Sequence, residues 1–185
     1  KAGAAFGGAG AVVVPEGPNN LVLDPNANVN VLVDNHGTLY PGGLSGIGLV
    51  NLKDYQQRDS GRLFVEIEGT GLNEYDRLVV NGIAQLDGYL NVDIDGPFVP
   101  TVGDTFNIIA ATAGISGTFD YLDIQGFPAG LTVKVNYLPT IVQLQVVNTP
   151  FFSADFDKDG DVDQTDYQIW KNAYKLNHLG DANGD

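Results

Sequence analysis

The stretch Arg62-Leu-Phe-Val-Glu-Ile-Glu68 decides how this chain reads, because Leu63, Val65 and Ile67 alternate strictly with Phe64, Glu66 and Glu68. A period of two sends successive side chains to opposite faces, so the segment is a strand with one face in a core. The same alternation recurs outward in both directions. Val29, Val31 and Val33 share a face in Asn28–Asp34, and Leu90, Val92 and Ile94 stand opposite Asn91, Asp93 and Asp95 in Tyr89–Asp95. Leu131–Tyr137 and Ile141–Val147 repeat it. Between these runs lie Asn81-Gly82, Asp87-Gly88 and Asp95-Gly96, pairs that close tight turns, and Pro97, Pro100, Pro128 and Pro139 fall between strands. No helical period precedes residue 160. The body, residues 21–148, is mainly β, and the spacing fits either a β-solenoid of stacked rungs or an antiparallel, jelly-roll-like β-sandwich.

Composition agrees. Of 185 residues 43% are hydrophobic and only 17% charged, with 24 glycines, a profile of a turn-rich β-protein. The net charge of -14 argues against nucleic acid or anionic lipid as partner. No apolar run approaches the roughly 20 residues of a transmembrane helix. Cysteine is absent, which removes disulfides, thiolate metal sites and a cysteine nucleophile. Lys1 at the start and the lack of any methionine fit a processed N-terminus. Residues 1–20 read as a Gly/Ala-rich leader, or as a donor in which Ala11–Val14 adds to another subunit's sheet edge.

The run GTLYPGGLSGIG from Gly37 to Gly48, then YQQRDSGRLFVEIEGTGLNEYDRLVVNGIAQLDGYLNV and GDTFNIIAATAGISGTFD, resembles the C-terminal passenger region of autotransporter-like bacterial surface proteins. The resemblance spans residues 37–148 and implies a β-solenoid ending in an antiparallel cap. It also implies a secreted, extracellular or cell-surface, non-enzymatic scaffold.

Residues 149–154 form a linker to a different tail, 155–185. Asp155, Asp157, Asp159, Asp161, Asp163 and Asp166 occupy positions 1, 3, 5, 7, 9 and 12 of a twelve-residue loop, with Gly160 at position 6. Calcium takes six to eight oxygens, and this spacing offers them, Asp161 through its backbone carbonyl. Gly160 permits the sharp turn, and Val162 at position 8 is expected to point into a neighbouring core. An acidic linker does not account for the glycine, the valine and five spaced carboxylates together. A helix is expected over Asp166–Leu176, with Ile169, Trp170, Ala173 and Leu176 on one packed stripe.

An ordinary EF-hand loop ends in Glu, whereas this one ends in Asp166, and with Phe156 and the helix it resembles half of a type I dockerin. Dockerins carry two loop–helix repeats. Asp181, Asn183 and Asp185 match the first ligand positions of a second loop, which a truncation, a processing point or a neighbouring subunit would leave or make complete. In cellulosomal dockerins positions 10 and 11 help contact cohesin, so the resemblance assigns Gln164 and Thr165 to partner binding.

Catalytic sets are missing from the pattern. Glu66/Glu68 and Asp93/Asp95 are i, i+2 pairs that fall on an exposed outer strand face rather than flanking a cleft. His36 and His178 are isolated, Ser45 lacks a nucleophile elbow, and neither GIG nor GGAG opens a helix. The expectation is therefore a calcium-binding structural protein that forms a homo-oligomer or polymer. The alternatives are a module docking to a cohesin or an extracellular polysaccharide, and the non-catalytic end of a larger carbohydrate-active enzyme.

Overall fold

A computed structural model describes residues 5–7, 11–17, 20–44, 46–149, 156 and 162–177, leaving out the side chains of 5–7 and 173–177. A short strand β1 (Ala5–Gly7) is followed by the coils of a parallel solenoid. The first coil carries β2 (Ala11–Val14) and β3 (Asn20–Val22), the second β4 (Asn28–Asn35) and β5 (Thr38–Tyr40), and the third β6 (Leu49–Gln57) and β7 (Arg62–Ile67). In the fourth, the long first strand is broken into β8 (Arg77–Val80) and β9 (Ile83–Leu86) ahead of β10 (Tyr89–Ile94). The fifth repeats this with β11 (Thr105–Ala111), β12 (Gly114–Gly117) and β13 (Tyr121–Gln125). A hairpin of β14 (Leu131–Tyr137) and β15 (Ile141–Asn148) then adds antiparallel to β11. Of the two architectures open to the sequence, the β-solenoid is the one observed.

Like residues stack on like. In the five-stranded sheet β13-β10-β7-β5-β3, all pairs are parallel, and Leu21, Leu39, Leu63, Leu90 and Leu122 share one inward column. Leu39, Leu63 and Leu90 are fully buried. The neighbouring outward column holds Arg62 with its guanidinium 3.9 Å from the Tyr89 ring centroid, and Tyr89 stacked on Tyr121 at 4.6 Å. In the larger sheet a bulge between Val29 and Leu32 turns Leu32 outward and keeps Val33 inside. A second irregularity, between Asn107 and Ile109, buries both Ile108 and Ile109.

The Asn-Gly and Asp-Gly pairs turn corners rather than close hairpins. β8, β9 and β10 pair with strands of the coils above and below, not with each other, so Asn81-Gly82 and Asp87-Gly88 bend one coil around its faces. Gly88 sits at φ 63°, and a Cβ there would lie 2.5 Å from the Arg58 carbonyl and 2.6 Å from that of Gly61. The corner below is sealed from inside by buried polar groups. Gln57 Nε2 donates to the carbonyls of Asp87 (2.7 Å) and Tyr89 (2.9 Å), the Tyr55 hydroxyl donates to Gln57 Oε1, and Asn35 Nδ2 donates to the Arg62 carbonyl. Burial pushes the Tyr55 hydroxyl pKa upward.

Ala11–Val14, read from sequence as leader or donated strand, forms β2 in the chain's own sheet. It pairs parallel with β4, with Val12 and Val14 buried. Its alternating valines fit the first coil, so the segment completes its own core. No described helix is long and apolar enough to cross a membrane. Leu90→Ala would open a cavity in the leucine column and cost about 2–5 kcal/mol, to be read as a drop in the midpoint of denaturant unfolding.

Candidate calcium loop and the carboxylate clusters

The only described helix, α1 (Gln164–Asn177), begins two residues earlier than its apolar stripe suggests, because Asp163 caps it. Asp163 Oδ1 accepts the Thr165 N–H at 2.6 Å, and its carbonyl accepts the Tyr167 N–H at 3.2 Å. A side-chain oxygen at this place satisfies a donor that the first turn leaves without an intrahelical partner. Asp166 lies in the first turn and is 2% exposed. Its Oδ1 accepts the Phe156 N–H at 2.6 Å and its Oδ2 accepts the Asp163 N–H at 2.7 Å. One carboxylate thus ties the second residue of the loop to the ninth, drawing the loop's entry and exit together.

Asp166 and Asp163 are the predicted ligands within the described residues. Asp155, Asp157, Asp159 and Asp161 lie outside them, as do Asp181, Asn183 and Asp185 of the second loop. Gln164 and Thr165 are both exposed on the helix's first turn. Two expectations fail here. Val162 is 53% exposed rather than packed, and Ile169 is 37% exposed. Trp170 is half-buried with its ring 5.9 Å from that of Tyr167, and the side chains of Ala173 and Leu176, the rest of the expected stripe, lie outside the described residues.

Carboxylate and carbonyl oxygens, which the residue types of this loop supply at fixed spacing, are the donors a hard cation takes. The chemistry of the donor set therefore fits calcium.

The carboxylates of the body behave differently from what their spacing suggests. Glu66 faces outward from β7 yet is 6% exposed, and Gly46 N–H, from the connection after β5, donates to its Oε2 at 3.0 Å. Asp76, which the sequence did not single out, is 1% exposed. Its Oδ1 accepts Gly48 N–H at 2.7 Å and its Oδ2 accepts Glu66 N–H at 3.0 Å. The two acids clasp neighbouring loops through backbone donors. Burial raises the Asp76 pKa to about 7 against those bonds, and burial together with Asp95, Asp93 and Glu68 raises that of Glu66. The only sequence signal for Asp76 is an acid between Tyr75 and Arg77 just before a strand.

His36 is less isolated than it reads. Its Nε2 lies 3.4 Å from Asp34 Oδ1, which also takes Arg58 Nε at 2.7 Å and is held below the usual carboxylate range by that guanidinium. Ser60 Oγ donates to the backbone carbonyl of His36, not to its imidazole, so the three residues form no relay.

The sequence matches no protein-family model and no curated protein.

Two outcomes follow from this geometry. Asp163→Ala should cost the helix about 1 kcal/mol, read as faster amide exchange in its first turn. For Asp76 the raised pKa means stability that is present below the ordinary value of 3.8 and lost as pH rises toward about 7. Asp76→Asn should flatten the fall in unfolding midpoint between pH 4 and pH 8.

Proposed function

We propose that this chain is a non-enzymatic, extracellular calcium-binding structural protein of a bacterial surface or matrix, assembling with copies of itself. The observation that carries the reading is Asp166. Its buried carboxylate accepts the N–H groups of Phe156 and Asp163 and so draws the entry and exit of the loop together, which supports a loop that closes around one ion. Asp163 and Asp166, with Asp155, Asp157, Asp159 and the carbonyl of Asp161, would hold the ion. Bound calcium would supply positive charge to a tail in which these acids otherwise repel one another. The rest of the reading draws support from the rigid, repetitive body, whose buried carboxylates are engaged in holding loops.

Docking to a cohesin is the second reading, favoured by the exposure of Gln164 and Thr165 at the start of the helix. Retention on an extracellular polysaccharide would instead require a surface outside this loop.

Removing calcium with a chelator should melt residues 155–176 and reduce the particle size seen by light scattering. Unchanged particle size and melting temperature would rule out a structural role for the ion.

A further inference from the structure

The two sheets of the solenoid do not end at the same height. Beyond β11 the larger sheet continues through β15 and β14, whereas the smaller one stops at β13, which has no second strand partner among the described residues. The result is a shelf, with β13 as its floor edge and the hairpin as its wall. Tyr137 of β14 reaches across to it, its hydroxyl accepting the Phe119 N–H at 3.0 Å just before β13 begins.

Every ladder of the smaller sheet runs out at this edge unfinished. The leucine column, fully buried at Leu90, ends with Leu122 41% exposed. The Arg62–Tyr89–Tyr121 stack ends on a ring that is 58% exposed. Asp123 takes an amide donor from below, Asn91 Nδ2 at 2.9 Å. Tyr121 N–H is directed to the Gly88 carbonyl, so by strand alternation the N–H groups of Leu122 and Ile124 point toward the open side. An edge that is apolar, in register with its sheet and open to backbone pairing is what an added strand recognises.

We propose that β13 is an acceptor edge for an extended segment of a partner chain, which adds in parallel as the next strand of the smaller sheet. The columns set the chemistry of that segment. It carries an aromatic ring or guanidinium over Tyr121, an apolar residue over Leu122, an amide or basic donor over Asp123, and an apolar residue over Ile124. The parallel sense is the one in which each ladder continues in register. By contrast β14, at the edge of the larger sheet, carries the exposed Lys134 at its centre, a charge that discourages pairing there. The proposal is independent of calcium.

The probe is a fluorescently labelled hexapeptide with the sequence of Tyr89–Ile94, the strand that already pairs with β13 from below. Titrated against the full chain, it should bind saturably, and a scrambled peptide should not. Leu122→Lys should weaken binding at least about tenfold. Because the chain has no cysteine, Asp123→Cys gives a single site, which should cross-link a peptide bearing cysteine at its third position faster than Lys134→Cys does. Should Leu122→Lys unfold the chain, the cross-linking comparison decides alone. No binding up to millimolar peptide, equal binding by the scrambled peptide or by a folded Leu122→Lys variant, or equal cross-linking at both cysteines, would overturn the proposal.

Discussion

Coil-on-coil register is the constraint on which this structure depends. Each inner parallel strand hydrogen-bonds to the coils on either side, and its inward residues lie on their counterparts, so the core is a set of columns more than a single cluster. The leucine column through Leu39, Leu63 and Leu90 shows the consequence, since a slip of one residue in any coil would turn its leucine out and a polar neighbour in. Corners must then be tight and repeated, which explains the glycine at position 88 and the polar seal of Asn35, Tyr55 and Gln57 beneath it. Local departures, such as the bulge in β4, are absorbed where they keep the inward set intact.

The same constraint explains what the sequence revealed and what it hid. Alternation in Arg62–Glu68 and Tyr89–Asp95 showed which side chains face the core, because a period of two survives any sheet topology. For that reason it did not distinguish stacked coils from a sandwich. Asn81-Gly82 reads as a turn in either case, and only pairing partners separate a solenoid corner from a hairpin. Pro97, Pro100, Pro128 and Pro139 did fall outside strands. Burial imposed by distant loops was invisible. Glu66 is outward by alternation yet buried and bonded by Gly46, and Asp76 gains its partners from Gly48 and Glu66, far apart in the chain. In the tail, the residue types at fixed spacing were legible. The capping role of Asp163, which moves the helix start forward, and the exposure of Val162 were not.

Electrostatics joins body and tail. The chain carries 23 acids against nine lysines and arginines, and the described Arg–carboxylate ion pair joins Arg58 to Asp34. Elsewhere acids are settled by backbone donors: Asp76 by Gly48 and Glu66, Asp166 by Phe156 and Asp163. In the body such acids sit singly or in pairs, where a few N–H groups suffice. In the tail six fall within twelve residues, and a divalent cation is the counter-charge proposed for them. On this account the solenoid supplies a rigid surface and the tail an ion-dependent one.

The most direct test of that claim is calorimetric titration of calcium into the intact chain and into Asp157→Ala and Asp166→Ala variants. The account predicts saturable binding by the parent chain and weakened binding by both variants, while the β-body stays folded by circular dichroism. Unchanged affinity in both variants, or no heat of binding in the parent, would contradict it.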